Sequence, residues 1–560
     1  MTARFRWHFA LAFFALLLST PLLSAQVTIR KKAVDNDPAF AAQPKLVVGV
    51  VVDQMRFDYL SRFWEVYGED GFKRLVREGF LARNHHFGYA PTSTGPGHAS
   101  VYTGTTPAMH GIIGNNWFDK EAGVEVYCAG DDNVESVGTT SDAGKNSPHR
   151  MKVSTITDEL RLHHQMRSKV IAISLKDRGA VLPGGHTANA AYWFEGGTTG
   201  NWISSSYYLS ELPEWVQDFN ASDKAASYKR VWEPLGEPED YQYSGLDNTP
   251  FEGLFDGEQL PVFPHDLPAL WEENGSYGLL RITPFGNSLL MDFALEALKK
   301  EDLGRDDITD FLAISFSSTD YVGHFYGVNS KEVQDTYMRL DQDLARLLKA
   351  LDRQVGEGAY TLFLTADHGA VDVPSYLNSQ KIPAGYPESE SLEQRFGEFL
   401  QYKYGTTDII RNASNNQIFL DHDFIRNLEL EPGDVQEALA AELLSYDGIY
   451  KVYTAEQMQE GEYTEGLAQI LQEGYNQKRS GDILFVYDPA YADYSRTGST
   501  HGTAYIYDTH VPLIFYGNGV RPGTTYRKTY IKDIAPTLSS LLGIAFPNGT
   551  TGQPIGEILK

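Results

Sequence analysis

Four short apolar runs recur along the chain, and none alternates with polar residues. They are Lys45-Leu-Val-Val-Gly-Val-Val-Val52, Lys169-Val-Ile-Ala-Ile-Ser-Leu175, Asp310-Phe-Leu-Ala-Ile-Ser-Phe316 and Tyr360-Thr-Leu-Phe-Leu-Thr365. An unbroken β-branched run predicts a strand covered on both faces, the mark of a parallel sheet. Helical periodicity between them predicts helices over Asn287 to Lys300 and Lys331 to Leu351. Later, Val511 to Tyr516 reads as another strand, and Lys532 to Leu538 as the start of a helix packed on the sheet. Strands alternating with helices imply an α/β fold, a mostly parallel sheet with helices on both faces. Two stretches break the rhythm, about 182–282 and about 373–495. The first is rich in Tyr, Trp, Gly and Pro; the second holds helical patterns over Gly433–Ser445 and Thr464–Gln477. Both are expected as insertions forming walls or a cap over the C-terminal edge of the sheet, within one catalytic domain spanning 45–560.

Each apolar run ends at or just before a charged side chain: Asp53, Lys176, Asp320 and Asp367. Open α/β sheets bind ligands at that edge. Pro91-Thr-Ser-Thr94-Gly-Pro-Gly-His98 adds a hydroxyl to the same picture. Pro96 suits the first turn of a helix, because the N–H it lacks had no intrahelical partner there. Thr94 then sits at the helix mouth, where free N–H groups and the dipole favour an anion. A threonine hydroxyl becomes a nucleophile only if a metal or base removes its proton.

The remaining donors supply a metal. Asp53, Asp320 with His324 four residues on, Asp367-His368 and His501 make three carboxylates and three imidazoles on predicted loops. That mixture suits zinc, and six ligands divide into two sites of three, able to clamp the entering and leaving oxygens of an in-line displacement. His98, His110 and His510 are assigned structural roles, and His85-His86 is set aside because adjacent strand residues point apart.

Composition narrows the setting. The chain has 560 residues, 42% hydrophobic and 12% aromatic, enough for a large core. Met1 to Ala25 reads as a secretory signal, with Arg4 and Arg6 before the apolar Ala10–Leu18 and a small-residue site at Leu23-Ser-Ala25; residues 26–44 read as a linker. Removing the signal takes away two arginines and no acid, moving the formal charge from −27 to −29. Such acidity argues against nucleic-acid partners. It also requires local cations in any site that binds an anion. The short leader run and the lack of any later long uncharged run argue against stable membrane insertion. The single Cys128 allows no intrachain disulfide and is read as a buried small hydrophobe.

The ordered set Asp53, Thr94-Gly-Pro-Gly-His98, Asp320-x-x-x-His324, Asp367-His368-Gly369 and His501-Gly502, with Gly114-Asn-Asn-Trp117 and Lys176-Asp-Arg178, resembles the alkaline phosphatase superfamily. It is similar above all to the secreted, phosphate-irrepressible alkaline phosphatases of flavobacterial type. The resemblance implies an alkaline-phosphatase-like core and a periplasmic or secreted phosphomonoesterase, with a monomer favoured. It implies Thr94 as nucleophile and a phosphothreonine intermediate. One zinc would lie among Asp53, Asp367 and His368, and a second among Asp320, His324 and His501. Asn115, Lys176 and Arg178 would grip phosphoryl oxygens. Phosphodiesterases and nucleotide pyrophosphatases on the same scaffold also use threonine and are the alternative. Sulfatases are not, because the Cys/Ser-x-Pro-x-Arg frame is missing.

Overall fold

The computed structural model describes residues 43–387 and 389–560. The leader expected over 1–25 lies outside them, as does nearly all of the linker expected over 26–44. The four apolar runs form strands β1 (Leu46–Val52), β2 (Val170–Ser174), β3 (Asp310–Phe316) and β4 (Tyr360–Thr365). Every residue in them is buried, so successive side chains, pointing to opposite faces, are covered on both sides. The strands lie side by side in the order β4-β1-β3-β2, all parallel, at the centre of a ten-stranded sheet. Ala190–Phe194 continues the parallel run beyond β2; the antiparallel pairings, to Leu513–Gly517 beside β4 and to Trp202–Ser205, lie further out.

Register brings the chemistry together. Val51 pairs with Ser315 and with Thr365, and Ser315 pairs with Ser174. Asp53, Asp367 and Lys176 each follow one of these level positions by two residues, so three strands deliver a charged group at one height. From β3 the chain enters a helix immediately. The principal helices are α1 (Thr94–Thr103), α2 (Asp177–Gly184), α3 (Pro284–Lys300), α4 (Ser318–Tyr326) and α5 (Lys331–Leu351). Ser330 caps α5 by accepting from Val333 N–H, and the helix has one broad buried face, as its periodicity predicts. By contrast, all ten residues of α1 are buried.

The later broken stretch holds a separate antiparallel sheet, Ile410–Ser414, Gln417–Leu420, Ile483–Tyr487 and Ile449–Thr454, with its own core against helices Ser389–Tyr404 and Pro432–Leu443. The first hairpin turns at Asn415 and Asn416, at φ of 53° and 56°, the left-handed pair a two-residue turn requires. Asn415 Nδ2 donates to Asn116 O at 2.6 Å, tying that hairpin to the Asn115 loop. Among the described residues no helix is long and apolar enough to cross a membrane.

Candidate metal centre

Thr94 is the first residue of α1, after an extended Ser93, and is 1% exposed. Pro96 is the helix's third residue. Gly97 has a specific reason to lack a side chain: a Cβ there would lie 2.4 Å from the carbonyl oxygen of Asp367. The first turn of α1 is thereby pressed against the Asp367-His368 loop. Gly95 N–H donates to Asn115 Oδ1 at 2.8 Å, which leaves the amide nitrogen of Asn115 as its other polar end.

The six predicted donors come together in two neighbouring groups. Asp320 Oδ1 lies 3.2 Å from His324 Nε2 and 3.7 Å from His501 Nε2. His368 Nε2 lies 3.4 Å from Asp53 Oδ1 and 3.6 Å from Asp367 Oδ2. Among the described residues, Asp320–His324–His501 and Asp53–Asp320–His368 are groupings whose donor atoms all lie within 4.8 Å of one another, so Asp320 borders both halves, and Asp367 stands beside the second. The His368 and His501 rings stack 3.4 Å apart, joining the halves.

The hydrogen bonds around the imidazoles fix their tautomers. Nδ1 of His324, His368 and His501 faces the carbonyls of Ser499, Gly369 and Thr92 at 2.8, 2.9 and 2.7 Å. A carbonyl only accepts, so each Nδ1 carries a proton and Nε2 is the nitrogen left to face the cluster. Among the described residues, Asp53 Oδ1, Asp367 Oδ2 and His368 Nε2 are buried with no hydrogen-bond partner. Buried acceptors left unmet are costly unless something positive meets them. This donor set, carboxylate with neutral imidazole, fits a divalent cation such as zinc.

Charge divides the cluster unevenly. Lys176 Nζ bonds Asp53 Oδ2 and Asp320 Oδ2, both at 2.6 Å, and sits 3.5 Å from Thr94 Oγ1. Burial opposes its charge, but Asp320 and Asp53 raise its pKa above the ordinary lysine range. Burial would push Asp320 up, yet the neighbouring His324 and Lys176 hold it well below the usual carboxylate range. Asp367 goes the other way, driven well up by burial and then by the negative Asp53. Burial, and the neighbouring His368 and His324, keep His501 neutral, the form that ligates a metal.

Several supporting groups were not singled out by sequence. Gln54, buried at a left-handed φ of 63°, donates through its main chain to Asp367 Oδ1 (3.2 Å) and through Nε2 to Asp320 Oδ1 (2.8 Å). His98, assigned only a structural role, sets Nδ1 against Thr94 O (2.9 Å) and Asp367 Oδ2 (3.4 Å). Asp508 accepts from Thr503 N–H and hydroxyl at 2.7 and 2.6 Å and through its carbonyl from Gly369 N–H at 2.7 Å, joining the His501 and His368 loops. A helical spacing from Thr94 to His98 was the only sequence signal among these. Arg178 and Lys176 border a cleft of about 520 Å³ that also takes in Tyr127 and Tyr321. A second cleft of about 390 Å³ opens beside His501, Asn115 and the Asn415–Asn416 turn.

Known proteins resemble this chain in sequence and fold. Residues 47–510 match the family model described as type I phosphodiesterase/nucleotide pyrophosphatase. The chain is 43% identical to the alkaline phosphatase PafA of Elizabethkingia meningoseptica, over 92% of this chain and 95% of that one. It is 44% identical to the alkaline phosphatase PhoV of Synechococcus elongatus, over 93% and 94%. A Myroides odoratus protein named a calcium-transporting ATPase is 44% identical over 92% and 95%. The crystal structure of PafA superposes with a TM-score of 0.89, covering 92% of this chain and 99% of that one at 43% identity. Murine ectonucleotide pyrophosphatase/phosphodiesterase 5, at 15% identity and a TM-score of 0.52, shares the fold. The alkaline-phosphatase-like α/β core expected from sequence is therefore the one found.

Proposed function

The chain belongs to the type I phosphodiesterase/nucleotide pyrophosphatase family, and we propose that within it this member is an alkaline phosphatase, a metal-dependent hydrolase of phosphate monoesters. The observation that carries this reading is a threonine at a helix N-terminus whose hydroxyl shares Lys176 with Asp53, one of the cluster's three carboxylate and imidazole groups with a buried acceptor that has no partner among the described residues.

Asp53, Asp367 and His368 would hold one zinc ion, and Asp320, His324 and His501 another. Two bound zinc ions supply positive charge that favours ionised oxygen and stabilises charge on entering and leaving oxygens. Thr94 Oγ1, having lost its proton, attacks phosphorus; the bond to the ester oxygen breaks, and the alcohol departs after gaining a proton. Water then cleaves the phosphothreonine, freeing phosphate and restoring the hydroxyl. Asn115 Nδ2, its oxygen already engaged by Gly95, meets a non-bridging oxygen. Arg178 presents a planar fork to others. Lys176, with two donors on carboxylates, directs its third toward Thr94 and the bound phosphoryl group. The N-terminal 25 residues act as a cleaved signal, placing the enzyme in a periplasm or outside the cell, and one chain carries the whole site. The broken stretches serve as its walls.

The phosphodiesterase reading stays as the alternative because the matched family model carries that name. A monoester brings a dianionic group that repays two cations; a diester brings one charge fewer and a second organic group. The test compares kcat/KM for an aryl phosphate and its methyl diester. The monoester is expected to be faster, with Arg178→Ala injuring it more than the diester. Faster diester hydrolysis would reverse the assignment.

A further inference from the structure

We propose that Tyr127 is a positioning residue for Arg178, holding the guanidinium toward the phosphoryl group and keeping it from pairing with Asp177. The inference rests on the reading of Arg178 as a phosphoryl grip. Tyr127 ends the strand Val124–Tyr127, which pairs antiparallel with Asn116–Asp119, Asn116 opposite Tyr127. Cys128 N–H donates to Asn115 O at 2.8 Å, closing the same ladder. One hairpin therefore sets both Asn115 and Tyr127 at the site.

The hydroxyl of Tyr127 has two partners. It donates to Asp177 Oδ1 and accepts from Arg178 Nη1 at 3.2 Å. Among the described residues this is the guanidinium's only hydrogen bond, and Arg178 Nε is buried with no partner. Asp177 lies one residue before Arg178, yet its carboxylate bonds the Arg178 main-chain N–H at 2.5 Å and Asn146 Nδ2 at 3.4 Å, not the guanidinium. The phenol stands between the two charges. Burial, followed by the neighbouring Asp177, pushes its pKa well up, so it stays a neutral donor and acceptor at working pH. Without that hydroxyl, Asp177 becomes the nearest anion to a partly desolvated arginine. An Arg–carboxylate pair of this kind competes directly with a phosphoryl oxygen.

Tyr127→Phe removes one oxygen and keeps the ring. The expected result is a loss of about 10-fold in kcat/KM for the aryl phosphate, the scale of one hydrogen bond to a charged group. The inhibition constant of inorganic phosphate should weaken by a similar factor, while the methyl diester loses far less. In an Arg178→Ala background the change should cost almost nothing, and Tyr127→Phe with Asp177→Asn should recover most of the loss. Equal losses on both esters, a full loss without Arg178, or no recovery in the double variant would overturn the proposal. If Arg178→Ala itself left the monoester-to-diester ratio unchanged, the grip reading would fail instead.

Discussion

The two halves of the cluster share a ligand chemistry and differ in how their charge is met. Asp320, with His324 and His501, is served by Lys176 and by the amide of Gln54, and it is held ionised. Asp367, with His368 and Asp53, receives one main-chain N–H on Oδ1, and its carboxyl is driven upward by burial and Asp53. All three unpartnered acceptors belong to this second half. Lys176 bonds Asp53 as well as Asp320, so the difference comes down to Asp367 and to the unmet Asp53 Oδ1 and His368 Nε2, which are left for a cation to complete. The difference teaches where the metal-free protein stores its electrostatic strain.

The largest expected effect lies between the halves. Thr94→Ala should cut monoester turnover by about 10⁴-fold or more, the scale of losing a nucleophile, while elemental analysis still finds the metals of both halves. Loss of metal with activity would make Thr94 a structural support instead. The next effect separates the halves. Asp320→Asn leaves a buried Lys176 with one carboxylate and should lower metal-free stability by about 3 kcal/mol. Asp367→Asn should raise the metal-free Tm at alkaline pH, where the buried carboxyl would otherwise be forced to ionise, and should shrink the rise that zinc produces. Thermal unfolding with chelator and with zinc reads both; matching shifts in the two variants would erase the distinction.

A last effect, seen only in the pH dependence, concerns Asp508, which links the His501 and His368 loops. Burial pushes its carboxyl up to about 7. A folded pKa above the unfolded one gives stability that is present at low pH and lost as pH rises through about 4 to 7. Its share of the slope is at most ~1.4 kcal/mol per pH unit. Asp508→Asn should flatten the chelated protein's stability over that window; an unchanged slope would assign the titration elsewhere.

Much of the sheet was legible because burial on both faces writes itself as unbroken valine and isoleucine, and β1 to β4 carry that signature. The helix α5 was legible over its full length through its broad apolar face. The helix α1 was not legible by periodicity, since a helix buried all round has no polar face; Pro96 and the glycines marked it instead. Ala190–Phe194 and Trp202–Ser205 were missed as strands because they sit in an aromatic stretch without turn spacing. The candidate ligand side chains could be proposed because each follows a strand or a short motif. Gln54 could not, since its role depends on a left-handed backbone that its residue type does not announce. Nor could Tyr127, whose partner is 51 positions away and meets it only through the hairpin.

The central claim is tested most directly by anomalous diffraction at the zinc edge on crystals of the zinc-loaded protein. The account predicts two peaks ~4 Å apart, one among Asp320, His324 and His501 and one among Asp53, Asp367 and His368, with Thr94 Oγ1 between them and the cleft. A single peak, or two peaks remote from Thr94, would contradict it.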